Sequence, residues 1–163
     1  MKRAFDLRHT AWLAIVAVAC AGLSAGPARA DGDSGVSLPL LPAYATECGE
    51  CHVAYPPVLL PPVSWQRIMD GLGKHYGVDA SLDTAVRADI SRWLVQTSTR
   101  RSHTREAPPQ DRISRTRWFL HEHDEVGADV WKRASVKSAS NCGACHRGAA
   151  QGNYDEDSVR IPR

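Results

Sequence analysis

Apolar residues recur along this chain at the three-and-four spacing of helices, and no stretch of useful length alternates as a strand would. Trp65, Ile68, Met69, Leu72, His75 and Tyr76 fall at i, i+3, i+4, i+7, i+10 and i+11. That pattern predicts one helical face opening after Ser64 as N-cap, with His75 aimed inward. Gly71 and Gly73 interrupt it, each weakening a helix by about 1 kcal/mol relative to alanine, which suits a backbone approaching a flat group closely. A second helix, capped at Asp79 or Ser81, carries Leu82, Val86, Ile90, Trp93 and Leu94 on one side. A third is expected from Asp111 to Trp131 or beyond, with Phe119, Leu120, His123, Val126, Gly127 and Val130 as its apolar stripe. His121 aligns instead with Ser114, Trp118 and Glu125, a mostly polar face.

Two stretches break the helical pattern. Pro56-Pro57-Val58-Leu59-Leu60-Pro61-Pro62 cannot be helix interior and reads as a stiff apolar loop laid over whatever binds nearby. From Thr97 to Asp111 the chain is polar, holds Pro108-Pro109 and reads as an exposed connection. The predicted class is mainly α, in two small helical lobes spanning 31–97 and 112–163, joined by a connection over 98–111.

The first thirty residues read as a secretory leader. Lys2, Arg3 and Arg8 precede an apolar run from Ala11 to Leu23, too short to span a bilayer, and Ala28-Arg29-Ala30 is a small-x-small cleavage site. Cleavage there would begin the mature chain at Asp31 and leave 133 of the 163 residues, a one-domain length on ordinary priors. An uncleaved anchor and a lipidated Cys20 are the competing readings; each also exports the chain. The expected location is periplasmic, without stable membrane insertion.

Of the 20 basic and 18 acidic residues, the leader holds four and one, so the remainder carries 16 and 17. A near-neutral chain lacks the basic surplus of a nucleic-acid binder. Arg100, Arg101, Arg105, Arg112, Arg115 and Arg117 do cluster around the connection. A solvated face accounts for them, and negatively charged groups or an acidic partner could also meet them.

Cysteine placement narrows the chemistry most. Outside the leader the cysteines are Cys48, Cys51, Cys142 and Cys145, in two Cys-x-x-Cys pairs, each followed at once by histidine, His52 and His146. Cys-x-x-Cys-His is the attachment sequence for c-type haem. Two thiols at this spacing can add across the two vinyl groups of one porphyrin as thioethers, and the adjacent imidazole is then held under the ring within reach of iron. Disulfides, a zinc site or thiol redox chemistry are the alternatives for four cysteines. Two motifs with histidine in the same place, no cysteine left over and an export leader favour two covalently bound haem c groups.

The sixth ligand of each iron decides whether a haem carries electrons or binds small molecules. Met69 is the only methionine beyond the leader and cannot serve two irons. At least one haem is therefore His-ligated, otherwise ligated or open, and the unassigned histidines are His75, His103, His121 and His123. Periodicity favours His75, on the face shared with Met69, and His123, in the apolar stripe. Nothing beside the haem motifs forms a nucleophile and base pair, so no enzyme activity is expected.

The segments from Cys48 to Asp83 and from Trp118 to Pro162 resemble the small bacterial dihaem cytochrome c family. Carrying the resemblance are Cys48-Gly49-Glu50-Cys51-His52 with Ala54-Tyr55-Pro56-Pro57, Ser64-Trp65, Ile68-Met69 and His75 with Asp79-Ala80-Ser81-Leu82. In the second half they are Trp118-Phe119, His123, Ser138, Asn141-Cys142-Gly143-Ala144-Cys145-His146 and Ile161-Pro162. The resemblance implies one haem per helical lobe, bis-histidine ligation of both irons and electron donation to a small oxygen-binding monohaem cytochrome c, often alongside a membrane cytochrome b. The expected function is thus a periplasmic electron relay between a membrane donor and a soluble haem protein. The competing class is a haem enzyme or gas-binding protein with one open iron. His103 and the arginine-rich connection have no counterpart in this resemblance.

Overall fold

Pro42 opens the first helix, α1 (Pro42–Gly49), in the position where a proline sacrifices no hydrogen bond and its fixed φ suits the turn. The computed structural model describes residues 39–102 and 105–163. The expected leader and His103 lie outside them. α1 buries Tyr44, whose hydroxyl donates to the Tyr55 carbonyl at 2.7 Å, and its last turn carries Cys48.

The proline-rich stretch is interior, as its leucines suggest: Pro56 to Pro61 are all buried, with a 3-10 turn at Pro57–Leu59. It leads into α2 (Pro62–Asp70), which begins two residues before the expected Ser64 cap. Pro62 takes the first helical position, and Ser64, fully buried, turns its hydroxyl to the Asp111 carboxylate at 2.6 Å instead of capping. Gly71 ends the helix, its N–H shared between the Arg67 and Ile68 carbonyls. The face predicted to run on to His75 and Tyr76 therefore stops five residues short of His75. A 3-10 turn at Leu72–Lys74 follows, and His75 emerges in extended conformation. Tyr76 is left-handed at φ 49°, which costs a residue with a Cβ about 1 kcal/mol or more.

α3 (Thr84–Arg101) is capped by Asp83, whose carboxylate accepts from the Ala85 and Val86 amides. Asp79, the expected cap, accepts from the Ser81 amide in the preceding turn instead. Ile90 and Leu94 are fully buried, and Leu82, Val86 and Trp93 pack beside them as their spacing predicts. The main core joins this face to Tyr44, Leu60, Trp65, Met69 and Leu72.

The long third helix is absent. Asp111 lies in a turn at Pro109–Asp111 with φ 52°, and Thr116 caps α4 (Arg117–Glu122), a helix of only six residues. Beyond it His-Asp-Glu-Val-Gly-Ala-Asp holds a glycine, two aspartates and a β-branched valine and has little apolar surface to bury, so propagation fails. Leu120, placed in the expected stripe, is 57% exposed, whereas Phe119 and Val130 are buried. Short 3-10 turns carry the rest of the chain. Arg160 and Arg133 tie the tail back, the Arg160 amide donating to the Cys145 carbonyl and the Arg133 guanidinium to the Pro162 carbonyl.

The architecture is mainly helical, with no strand among the described residues. No helix among them is long and apolar enough to cross a membrane. Near the connection, α3 persists to Arg101, Pro108 is buried and Asp111 is partly so. Ile113 packs against the main core and against a second cluster in which Val58 and Leu59 meet Tyr55, Trp118 and Tyr154.

Candidate haem sites

Cys48 lies in the last turn of α1, so the first Cys-x-x-Cys-His begins on a helical turn and unwinds through Cys51 to His52. The second starts as a 3-10 turn at Cys142–Ala144, closed by the His146 amide donating to the Cys142 carbonyl at 2.8 Å. All four thiols are unpaired. Burial, then the Glu47 charge, pushes the Cys48 thiol up to about 11, and burial pushes Cys142 up to about 11. Thiols held protonated are poor nucleophiles for disulfide exchange. Among the described residues no three of His, Cys, Asp and Glu gather as a metal cage of the kind a structural zinc uses.

Each motif histidine faces a distant histidine. His52 and His75 have ring centroids 6.2 Å apart, and His146 and His123 are 6.1 Å apart. With a metal–imidazole bond of about 2.0 Å and a ring nitrogen about 1.1 Å from its centroid, two imidazoles on opposite sides of one metal stand about 6.2 Å apart. Both pairs have that spacing. The His52 Nδ1 lies 2.7 Å from the Val53 carbonyl and the His123 Nδ1 2.9 Å from the Phe119 carbonyl. A carbonyl partner makes each Nδ1 the protonated nitrogen and leaves Nε2 with its lone pair for a metal. Burial, with the neighbouring histidine's charge adding to it, lowers the pKa of His75 and of His146, which keeps these rings neutral.

Aromatic rings flank both pairs. Tyr55 stacks on His52 at 4.6 Å and 14°, and Phe119 stacks on His123 at 4.0 Å and 14°. His123 sits at the C-cap of α4, beside Trp131 at 5.9 Å. His75 is placed by the loop after α2, whose Leu72 carbonyl accepts from the amides of His75 and Ala80. Met69 is 2% exposed and packed in the core, while His121 is exposed. Phe119 was placed in the apolar stripe with His123 by spacing, whereas Tyr55 and Tyr154, the latter 5.4 Å from His146, were not. Of these two, Tyr55 alone gave a local signal, an aromatic residue three places after a motif histidine.

The two motifs adjoin. A cavity of about 350 Å³ is lined by Cys51, His52 and Tyr55 from the first and by Ser140, Cys142 and Gly143 from the second. The Nδ1 of His146 and the hydroxyl of Tyr154 are buried with no hydrogen-bond partner among the described residues. Free cysteine pairs beside two sets of facing imidazoles at metal-bridging spacing fit two porphyrins attached at Cys48/Cys51 and at Cys142/Cys145.

Comparison with known proteins agrees. The family model for dihaem cytochrome c matches residues 44–154. The diheme cytochrome type c from Shewanella baltica OS155 is 38% identical over 74% of this chain and 92% of its own, with a TM-score of 0.64. DHC purified from Rhodobacter sphaeroides is 44% identical over 70% of this chain and 96% of its own, with a TM-score of 0.60. A second structure, of diheme cytochrome c from Rhodobacter sphaeroides, is 40% identical over 72% and 98%, with a TM-score of 0.62. A search of the curated proteins finds no match. Motif, geometry and likeness converge, and the chain belongs to the dihaem cytochrome c family, an electron-transfer cytochrome with two c-type haem groups.

Proposed function

We propose that His52 and His75 are the axial ligands of the first haem and His146 and His123 those of the second, and that the protein relays electrons in the periplasm. The observation that carries this reading is the pair of facing imidazoles at 6.2 and 6.1 Å. A c-type haem supplies a site that accepts and returns one electron. The chain's residues do the rest: the cysteines fix each ring covalently, and the carbonyls of Val53 and Phe119 hold two imidazoles in the ligating tautomer. Tyr55 and Phe119 restrict the rotation of those two rings.

Two imidazoles on each iron would leave no position for a substrate, which argues for a carrier and against a catalyst. Methionine ligation raises the potential, and Met69 is packed in the core, so both haems should be low-potential. Such a carrier fits between a membrane donor, such as a cytochrome b, and a soluble acceptor, such as a small oxygen-binding monohaem cytochrome c. Docking of this kind is brief and uses a small interface. The basic start, short apolar run and Ala28-Arg29-Ala30 of the leader support export and cleavage before Asp31.

Redox titration of the purified protein, followed optically and by electron paramagnetic resonance, tests the reading. The expected result is two low-spin centres whose bands do not change on adding carbon monoxide, in a chain whose mass equals residues 31–163 plus two haems. A high-spin centre that binds carbon monoxide would overturn bis-histidine ligation. Turnover of peroxide or nitrite at about 1 to 10³ per second would overturn the relay.

A further inference from the structure

Tyr55 touches both haem sites. Its ring lies flat on the His52 imidazole, with centroids 4.6 Å apart and planes 14° apart. Its hydroxyl donates to the Ser140 carbonyl at 2.6 Å, two residues before Cys142 and 85 residues along the chain from Tyr55. The Cys142 thiol lies 3.8 Å from the same carbonyl. Next to this bridge the residue after the first motif comes close to the second: a Cβ placed on Gly143 would stand 3.7 Å from Val53 Cγ1, ordinary contact distance.

A stacked aromatic ring resists rotation of an imidazole about its metal–nitrogen bond, because turning the ring would break the flat contact. That orientation is the lever by which neighbouring groups tune a ligated iron. Phe119 stacks on His123 in the same way but has no polar atom to tie it elsewhere. In Tyr55 the stack is itself anchored, and the anchor belongs to the turn that carries the other haem.

We infer that Tyr55 is a positioning residue shared by the two sites: its ring sets the plane of the His52 imidazole, and its hydroxyl pins that plane to the turn entering the second motif. This rests on His52 being an iron ligand, as proposed above. The orientation of a ligand at the first haem is thereby fixed by the loop that holds the second.

Electron paramagnetic resonance of the oxidised holoprotein reads imidazole orientation directly through the low-spin g-values. His75→Ala first assigns the signals, since it should convert the first haem to high spin and leave the second haem's low-spin signal alone. If His75→Ala removes no low-spin signal, the ligation reading itself fails, whatever Tyr55 does. Tyr55→Phe keeps the ring and loses the hydroxyl. It should shift the first haem's largest g-value, leave the second haem's in place and keep both centres low-spin. Tyr55→Leu should shift and broaden the first signal further. If both variants keep the parent signals and only melt earlier, Tyr55 is a packing residue and the inference is wrong. If Tyr55→Leu shifts the signal and Tyr55→Phe does not, the stack acts alone and the link to Ser140 is refuted.

Discussion

Replacing Ser64 by alanine removes one hydroxyl from a side chain with no solvent exposure and should be felt at His75. The Ser64 hydroxyl donates to Asp111 Oδ1 at 2.6 Å. The Asp111 side chain is 16% exposed, and its other partner, the Arg67 guanidinium, is 60% exposed and 3.5 Å away. An exposed pair at that distance contributes little, so Ser64 is the main partner of a mostly buried carboxylate. A hydrogen bond to a charged group contributes about 1.5–3 kcal/mol. The bond also holds Asp111 at φ 52°, next to Gln110 at φ 55°. The Tyr76 hydroxyl shares its proton between the carbonyls of these two residues, at 3.1 and 3.0 Å, and the Arg112 guanidinium covers the Tyr76 ring at 4.3 Å. Loss of the anchor therefore reaches the residue after His75. Ser64→Ala should cost about 2 kcal/mol and lower the melting temperature by about 6–7 °C for a chain of this size. Denaturant unfolding of the holoprotein measures the cost, and carbon monoxide binding reports any release of His75. Ser64→Ala and Asp111→Ala should also be strongly non-additive. A cost below about 0.5 kcal/mol, the range of an ordinary surface change, or simple additivity would refute the reasoning.

Two further outcomes follow from the facing imidazoles. Met69→Leu should leave the visible spectrum alone because the thioether is packed among Tyr44, Trp65 and Ile90, while His75→Ala should open one haem to carbon monoxide; the reverse result would move the first haem to His/Met ligation. His121→Ala should keep both haems low-spin, and His123→Ala should leave the haem at His146 five-coordinate or water-bound, as resonance Raman spectra of the two variants would distinguish.

The chemistry of this chain was more legible than its geometry. Cysteine and histidine spacing is local, and it pointed to two attachment sites before any fold was known. His75 and His123 were singled out by helical periodicity, yet neither lies inside an α-helix: His75 follows α2 by five residues and His123 is the C-cap of α4. The periodicity marked which residues face inward while overstating how long the helices run, because much of the apolar surface here is to be covered by porphyrin and not by neighbouring helices. The caps slipped for a related reason. Asp79, Ser81 and Ser64 all have the right side chain, but Asp83 lies where α3 starts and Ser64 is taken by Asp111, 47 residues away. The Tyr55–Ser140 bond, over 85 residues, has no local trace either.

The small cluster around Val58 and Leu59 bears on how such a molecule comes to maturity. Two copies of one attachment sequence suggest two cytochromes strung end to end, separable by a cut between them. The seam contradicts that picture, since Val58 and Leu59 come from one half while Ile113, Trp118 and Tyr154 come from the other. A polypeptide delivered N-terminus first holds these two apolar side chains uncovered until its last residues arrive. A severed half would keep a sticky face, and its remedy would be the missing half and not a second copy of itself.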